Sequence, residues 1–97
     1  MMALDEIKKI ISSNREVLED RFKVRTIGIF GSYARAEQKK RSDIDIIVEF
    51  NGTIGLIEFM RLEFYLKDLL GIKVDLVTKD ALKPYIGKHI LDEVVYI

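Results

Sequence analysis

Two aspartates, two positions apart, stand at the head of an apolar run. Asp43 and Asp45 lie in Ser-Asp-Ile-Asp-Ile-Ile-Val, residues 42–48, which is predicted to begin a strand. Side chains two apart on a strand share a face, so both carboxylates point the same way. Such neighbours repel unless a cation lies between them. Hard oxygen ligands favour Mg²⁺ or Mn²⁺, which usually take further ligands from water and substrate phosphates. The pair therefore predicts a nucleotide site.

A Gly-Ser pair precedes the aspartates, separated from them by a short, locally basic loop. Residues 24–31 are predicted to form a strand that ends at Gly31, and Ser32 is predicted to open a short helix through residues 33–36. Glycine lets backbone approach a ligand closely, and N–H groups at a helix start attract phosphate. A strand-to-helix turn also uses Gly-Ser for geometry alone, so a turn without function remains the alternative.

A third aspartate lies inside a later apolar strand. Residues 72–78 alternate so that Asp75 falls on the face opposite most of the apolar side chains. An aspartate in such a strand is disfavoured and costly to desolvate, so a compensating partner is expected. If this strand lies beside the second one, Asp75 joins the aspartate pair on one metal face. The alternative is an edge strand on which Asp75 is simply solvated.

Two amphipathic segments are predicted to pack as helices that position these strands. Residues 3–22 carry an apolar stripe at helical spacing, and the weak helix formers at residues 12–14 allow a kink there. Residues 54–70 repeat the helical pattern, and Gly71 is placed to end that helix in a left-handed cap. Both stripes indicate core packing without chemistry of their own.

The last part of the chain gives a weaker pattern. Thr78 is predicted to cap the segment that follows, a turn is expected at Pro84, and residues 86–91 are weakly helical. Residues 94–97 form an apolar tail. The single histidine, His89, is far in sequence from the carboxylates and is assigned no role.

Length and composition predict one small domain over residues 1–97, without room for a second lobe. Sixteen basic and 16 acidic residues give no net charge, so no global field draws the chain to nucleic acid or membrane. The absence of cysteine excludes disulfides and thiolate sites and fits a cytoplasmic protein. No apolar stretch approaches the ~20 residues of a membrane span.

Three motifs in register resemble the minimal nucleotidyltransferase branch of the DNA polymerase β superfamily. They are Gly31-Ser32-Tyr33-Ala34-Arg35, then residues 42–48 after a short loop, then residues 74–78 after a helix. The resemblance runs through essentially the whole chain. It implies an α/β fold with a small mixed β-sheet flanked by helices. The chain departs from the family at Ala36, where glycine is frequent, and alanine stiffens the following turn.

The resemblance also implies a role for each matching residue. It assigns the phosphates of ATP to Gly31 and Ser32, and two divalent ions, Mg²⁺ or alternatively Mn²⁺, to three catalytic aspartates. These metal ligands are Asp43, Asp45 and Asp75. Arg35 is a candidate for nucleotide binding or partner contact, with a surface ion pair as an equal alternative.

Many proteins of this branch are antitoxins that adenylylate a tyrosine on a HEPN-domain RNase toxin. The resemblance therefore implies AMP transfer from ATP to a hydroxyl of such a partner, which we expect to contact Phe64-Tyr65 or Tyr96-Ile97. One alternative is an antitoxin that neutralises the toxin by contact alone. Three mutually repelling carboxylates favour the enzyme. Transfer to a small molecule or RNA is a further alternative, and the lack of a strong basic face argues against RNA.

Overall fold

The computed structural model describes residues 2–81 and 84–97, and side chains are described for all of these except residues 84–87. Within these ranges two helices are followed by two strands, and helices and strands then alternate. The elements are α1 (Leu4–Ser13), α2 (Arg15–Phe22), β1 (Val24–Phe30), β2 (Ile44–Phe50), α3 (Leu56–Leu70), β3 (Val74–Thr78), a short 3₁₀ turn (Lys79–Ala81), α4 (Pro84–Glu93) and β4 (Val95–Tyr96). No helix in the described ranges combines the length and apolar character needed to traverse a lipid bilayer.

The strands form one sheet in the order β3-β2-β1-β4. β2 and β3 run parallel, and α3 supplies the crossover connection that a parallel pair needs, whereas β1 pairs antiparallel with both β2 and β4. The sheet is therefore mixed and flanked by helices, which agrees with the predicted fold class.

One face of the sheet packs against the first three helices. Ile44, Ile46 and Val48 of β2 are all 0% exposed, because alternate residues of a strand share a face. In the same apolar cluster the helices contribute Ile7, Ile11, Leu18, Phe22, Leu62, Leu66 and Leu70. Asp45 lies between the buried isoleucines in sequence, so its side chain points to the other face of the sheet.

The predicted first helix is present but divided at Asn14, where the weak helix formers allow a kink. The Asn14 side chain donates to the carbonyl of Ile10 at 2.8 Å and accepts from the Tyr65 hydroxyl at 3.1 Å. The break is therefore fixed to α3 by a hydrogen bond. Gly71 ends α3 with φ 69°, in the left-handed cap that the sequence predicts.

The C-terminal segment is more ordered than its weak pattern suggests. α4 begins at Pro84, where a turn was expected, and extends beyond the predicted residues 86–91; residues 82–83 lie outside the described residues. The predicted apolar tail forms β4, in which Tyr96 pairs with Gly28 of β1. This added strand fixes the end of α4 beside the end of β1.

Candidate active site

The Gly-Ser pair begins a single helical turn over residues 31–36, in which the N–H of Arg35 donates to the Gly31 carbonyl at 3.1 Å, and the short helix expected there goes no further. The N–H of Glu37 donates to the Ser32 carbonyl at 2.8 Å, and the N–H of Ala36 donates to the Tyr33 carbonyl at 3.4 Å. Ala36 has φ 58°, so these bonds form the C-terminal cap of a helix after a single turn. Ala36 thus occupies a left-handed position that normally favours glycine, which explains why glycine is frequent there in the resembling family.

Gly31 joins this turn to the aspartates. Its φ is +73°, and a Cβ atom added there would collide with the Asp45 carboxylate. Phe30, the residue before it, pairs with Asp45 across β1 and β2. Glycine is therefore required at this position both for its backbone conformation and for the close approach of Asp45.

Two of the aspartates lie on neighbouring strands, and Asp43 lies just before the first residue of β2. Asp45 of β2 and Asp75 of β3 are direct partners in the parallel register, and Asp43 precedes Asp45 by two residues. β3 is the edge strand and Asp75 is exposed, so the burial cost expected from the sequence does not arise. Two expectations that were stated as alternatives therefore both hold. Asp75 is solvated on an edge strand, and it also lies beside the aspartate pair.

Asp45 carries the strongest electrostatic perturbation of the three. Burial, followed by the negative charges of Asp75 and Asp43, raises the pKa of Asp45 from 3.8 to about 6, against an opposing effect of Arg35. Asp43 and Asp75 are therefore close enough to Asp45 to disfavour its ionisation. A bound cation would relieve this repulsion.

The carboxylates fit a divalent ion that is only partly coordinated by protein. Among residues 2–81 and 84–97, no three acidic, histidine or cysteine side chains are gathered closely enough to hold a metal ion by themselves. Mg²⁺ is usually bound by one or two carboxylates, with substrate phosphates and waters completing its shell. The open arrangement of hard oxygen donors suits that mode of binding.

Arg35 forms the surface ion pair that the sequence leaves open. Its Nη1 donates to both carboxylate oxygens of Glu93, at 2.9 and 3.1 Å, and its Nε donates to Glu37 at 3.3 Å. Glu93, the last residue of α4, also accepts the N–H of Gly31 at 3.0 Å. The sequence gives no sign of this role for Glu93, because no local pattern connects it to Gly31, which lies 62 positions earlier.

Tyr33 anchors the turn to the apolar cluster beneath the sheet's helical face. Its side chain is 2% exposed and belongs to the apolar cluster. Burial and the negative charge of Asp43 raise the pKa of the Tyr33 phenol, which places this ring close to the first aspartate. The sequence motif contains Tyr33, but its spacing gave no role to it.

Comparison with known proteins settles the family. The model of the family described as nucleotidyltransferase domain matches residues 6–97. The chain belongs to the nucleotidyltransferase-domain family. This membership confirms the resemblance found in the motifs and the predicted enzyme class.

Relatives of this nucleotidyltransferase cover nearly its full length. The chain is 50% identical over 97 residues to the protein adenylyltransferase MntA of Thermococcus cleftensis, covering 100% of this chain and 98% of MntA. A solved structure assigned to the minimal nucleotidyltransferases matches with a TM-score of 0.83 at 30% identity, covering 97% of this chain and 95% of the other. A solved toxin–antitoxin structure with AMP-PNP matches with a TM-score of 0.73 at 29% identity, over 93% of this chain and 70% of the other.

This nucleotidyltransferase also has a cleft at the opposite end of the sheet. Its volume is about 500 Å³, and it lies where β2 ends and α3 begins, with Phe50, Phe59 and Lys79 among its lining residues. β2 runs away from Asp45 toward Phe50, so the cleft is separate from the aspartates. The site that combines the Gly-Ser turn with the carboxylates is therefore the one at Gly31.

Proposed function

We propose that this chain transfers AMP from ATP to a hydroxyl group of a protein and acts as the antitoxin of a toxin–antitoxin pair. The observation that carries the proposal is the direct approach of Gly31 to Asp45, since it unites the Gly-Ser turn and the carboxylates in one site. The relative MntA is named a protein adenylyltransferase, and the AMP-PNP structure is that of a toxin–antitoxin pair. The first supports protein AMP transfer, and the second supports the antitoxin role and a nucleotide substrate.

In this proposal Asp43, Asp45 and Asp75 would hold divalent ions, with Mg²⁺ favoured and Mn²⁺ possible. The chemistry that such ions supply when bound is neutralisation of phosphate charge and a lowered pKa for the attacking hydroxyl. The structure supports this assignment through the raised pKa of Asp45, because a cation placed between repelling carboxylates is stabilised by both.

The chain's own groups would bind and orient the triphosphate. Backbone N–H groups of the turn and the Ser32 hydroxyl would donate to its phosphates. Exposed Asp75, on the edge strand, faces the open side from which an acceptor can approach. The acceptor oxygen bonds to the α-phosphorus, the bond to the bridging oxygen of pyrophosphate breaks, and the hydroxyl proton passes to solvent. Holding both reactants in line supplies much of the rate.

We further propose that the partner is a HEPN-domain toxin and that the acceptor is a tyrosine. The family resemblance supports this choice, and the small size of the chain agrees with it. Asp75 is exposed at the edge of the sheet, which leaves the site open to an acceptor on a second molecule.

The proposal predicts that label will move from [α-³²P]ATP, but not from [γ-³²P]ATP, to a co-expressed HEPN partner in the presence of Mg²⁺ or Mn²⁺. Attack at the α-phosphorus leaves the γ-phosphate on pyrophosphate, so only the α label stays on the acceptor. Gel autoradiography measures both reactions. Transfer of the γ label would identify a kinase, and neutralisation of the toxin without any transfer would identify an antitoxin that acts by contact.

A second prediction concerns where the partner binds. α3 exposes an apolar stripe at helical spacing, formed by Leu56 at 74%, Ile57 at 67%, Met60 at 47% and Phe64 at 56% exposure. Phe64-Tyr65, one of the two partner contacts expected from the sequence, lies on α3, but Tyr65 packs against Phe22 with ring centroids 5.1 Å apart. Exposed apolar patches mark interaction sites, so Met60→Asp and Phe64→Asp should each weaken partner binding at least about tenfold.

The matched control is Lys9→Asp, an exposed change on α1. Calorimetry with the purified partner should show loss of affinity for the two stripe variants, while the control and the wild type bind alike. Nucleotide binding should be the same in all four proteins, because α3 packs on the face opposite Asp45. Unchanged partner affinity in both stripe variants would show that the partner binds elsewhere, and exposed Tyr96 would be the next residue to substitute.

A further inference from the structure

The Gly-Ser turn already holds an anion. The carboxylate of Glu93 accepts the Gly31 N–H at 3.0 Å and two hydrogen bonds from Arg35 at 2.9 and 3.1 Å. This carboxylate therefore uses donors of the same kind that a phosphate would need at the same turn. Its side chain is 29% exposed, so solvent screens these bonds only in part.

The Gly31 N–H cannot serve Glu93 and a triphosphate at the same time. A backbone N–H has one hydrogen, and that of Gly31 points at Glu93 Oε1. Arg35 is held on a second side by Glu37, through Nε at 3.3 Å. A phosphate that binds the Gly31 N–H must therefore displace Glu93 from it, whereas Arg35 can still offer its Nη2 donors to that phosphate.

The negative charge of Glu93 also opposes the binding of a triphosphate at the turn. Partial burial raises the pKa of Glu93, but the hydrogen bonds from Arg35 and the Gly31 N–H outweigh it and hold that pKa below its usual value. Glu93 is thus negatively charged at neutral pH, and its charge is among those that act on Asp45. An incoming triphosphate meets this charge in addition to those of the aspartates.

We propose that Glu93 is a resident anion of the phosphate site, and that ATP binds by displacing its carboxylate from the Gly31 N–H. The inference rests on the proposed nucleotide site and adds to it a residue that sets nucleotide affinity. Glu93 ends α4 and β4 follows directly, so displacement also frees the connection that fixes the C-terminal segment to the turn. Nucleotide occupancy is thereby coupled to the position of that segment.

The test compares ATP binding and stability in Glu93→Gln, which keeps the size of the side chain and removes its charge. Calorimetry with ATP in EDTA isolates phosphate binding from the metal. We expect the Kd for metal-free ATP to fall about tenfold, the order expected when one competing charge-assisted hydrogen bond is removed. The melting temperature of the free protein should fall, since Arg35 and Gly31 lose their charged partner.

A structural role for Glu93 predicts a different combination, in which lower stability accompanies weaker ATP binding. A lower melting temperature with tighter ATP binding therefore supports the proposal. A lower melting temperature with weaker ATP binding overturns it. Glu37→Gln is the matched control, because Glu37 contacts Arg35 but not the Gly31 N–H. It should tighten ATP binding much less than Glu93→Gln does, and an equal effect would overturn the proposal.

A second variant covers the case in which Glu93→Gln does not fold. Glu93→Asp keeps the charge and withdraws it by one methylene, and should tighten ATP binding by a smaller factor. Unchanged or weaker binding in every folded Glu93 variant overturns the proposal. Label transfer from [α-³²P]ATP by the wild type tests the proposed function separately. If transfer proceeds while no Glu93 variant gains affinity, only the role of Glu93 fails.

Discussion

Asp45→Asn is expected to reduce AMP transfer by at least about a hundredfold. Loss of an outer-shell group at a metal site already costs about 10–100-fold in metal affinity or activity, so loss of a direct ligand should cost more. Asp45 is also the central carboxylate, since it faces Asp75 across the strands and lies against Gly31. Transfer of α-labelled AMP to the partner measures the loss, and Asp75→Asn should show the same direction.

The same variant should separate function from stability. Asparagine removes one of several repelling charges, so the metal-free melting temperature should be unchanged or higher, although most substitutions destabilise. Mg²⁺-ATP at a hundredfold excess over Kd should stabilise the wild type by about 2.7 kcal/mol, and Asp45→Asn should lose most of that increment. Asp68→Asn, an exposed change on α3, should keep it. A destabilised Asp45→Asn protein with the full nucleotide increment would contradict the aspartate site.

The pH dependence of stability gives an independent reading of Asp45. Its pKa rises from 3.8 to about 6 on folding, so between these values the folded state binds more protons than the unfolded state. This contribution is fully present below pH 3.8 and is lost as pH rises through about 6. Because Asp45 is only half-buried, solvent screening limits the contribution to about 1 kcal/mol. Urea unfolding of metal-free protein should show this decline, and Asp45→Asn should lack it.

The parts of the site that the sequence predicts are those set by local rules. Alternation along β2 places Ile44 and Ile46 in the core, which turns Asp45 to the opposite face whatever the rest of the chain does. A helix between β2 and β3 favours parallel neighbours, and the register then brings Asp75 to Asp45. The position of Gly71 likewise follows from its own conformational freedom.

The parts that the sequence does not predict depend on contacts between distant residues. Glu93 reaches Gly31 across 62 positions, and only the pairing of β4 with β1 brings it there. The short helix was a wrong prediction because Ala36 adopts a positive φ and ends it after one turn. Asp75 needed no buried partner because β3 lies at the edge, and strand order is not a property of any single segment.

Gly31→Ala is expected to abolish transfer and also to destabilise the protein. Alanine at φ +73° costs about 1–2 kcal/mol in backbone energy, and its Cβ atom would collide with Asp45 Oδ2. Asp45 must then move away from its position beside Asp75, or the turn must open and lose its geometry for phosphate. Both outcomes remove the nucleotide-dependent increment in melting temperature and reduce α-label transfer to the level of Asp45→Asn.

Gly71→Ala is the control that isolates the contact with Asp45. Gly71 has a similar φ of +69°, but a Cβ atom added there meets nothing within 4 Å among the described residues. The two alanine variants therefore share the backbone cost, and only Gly31→Ala adds the collision. We expect Gly71→Ala to be less stable than the wild type yet retain transfer and the full response to Mg²⁺-ATP. If Gly31→Ala also retained transfer and the full response to Mg²⁺-ATP, the close approach of Gly31 to Asp45 would not be needed for activity. That approach could then no longer support the proposed function.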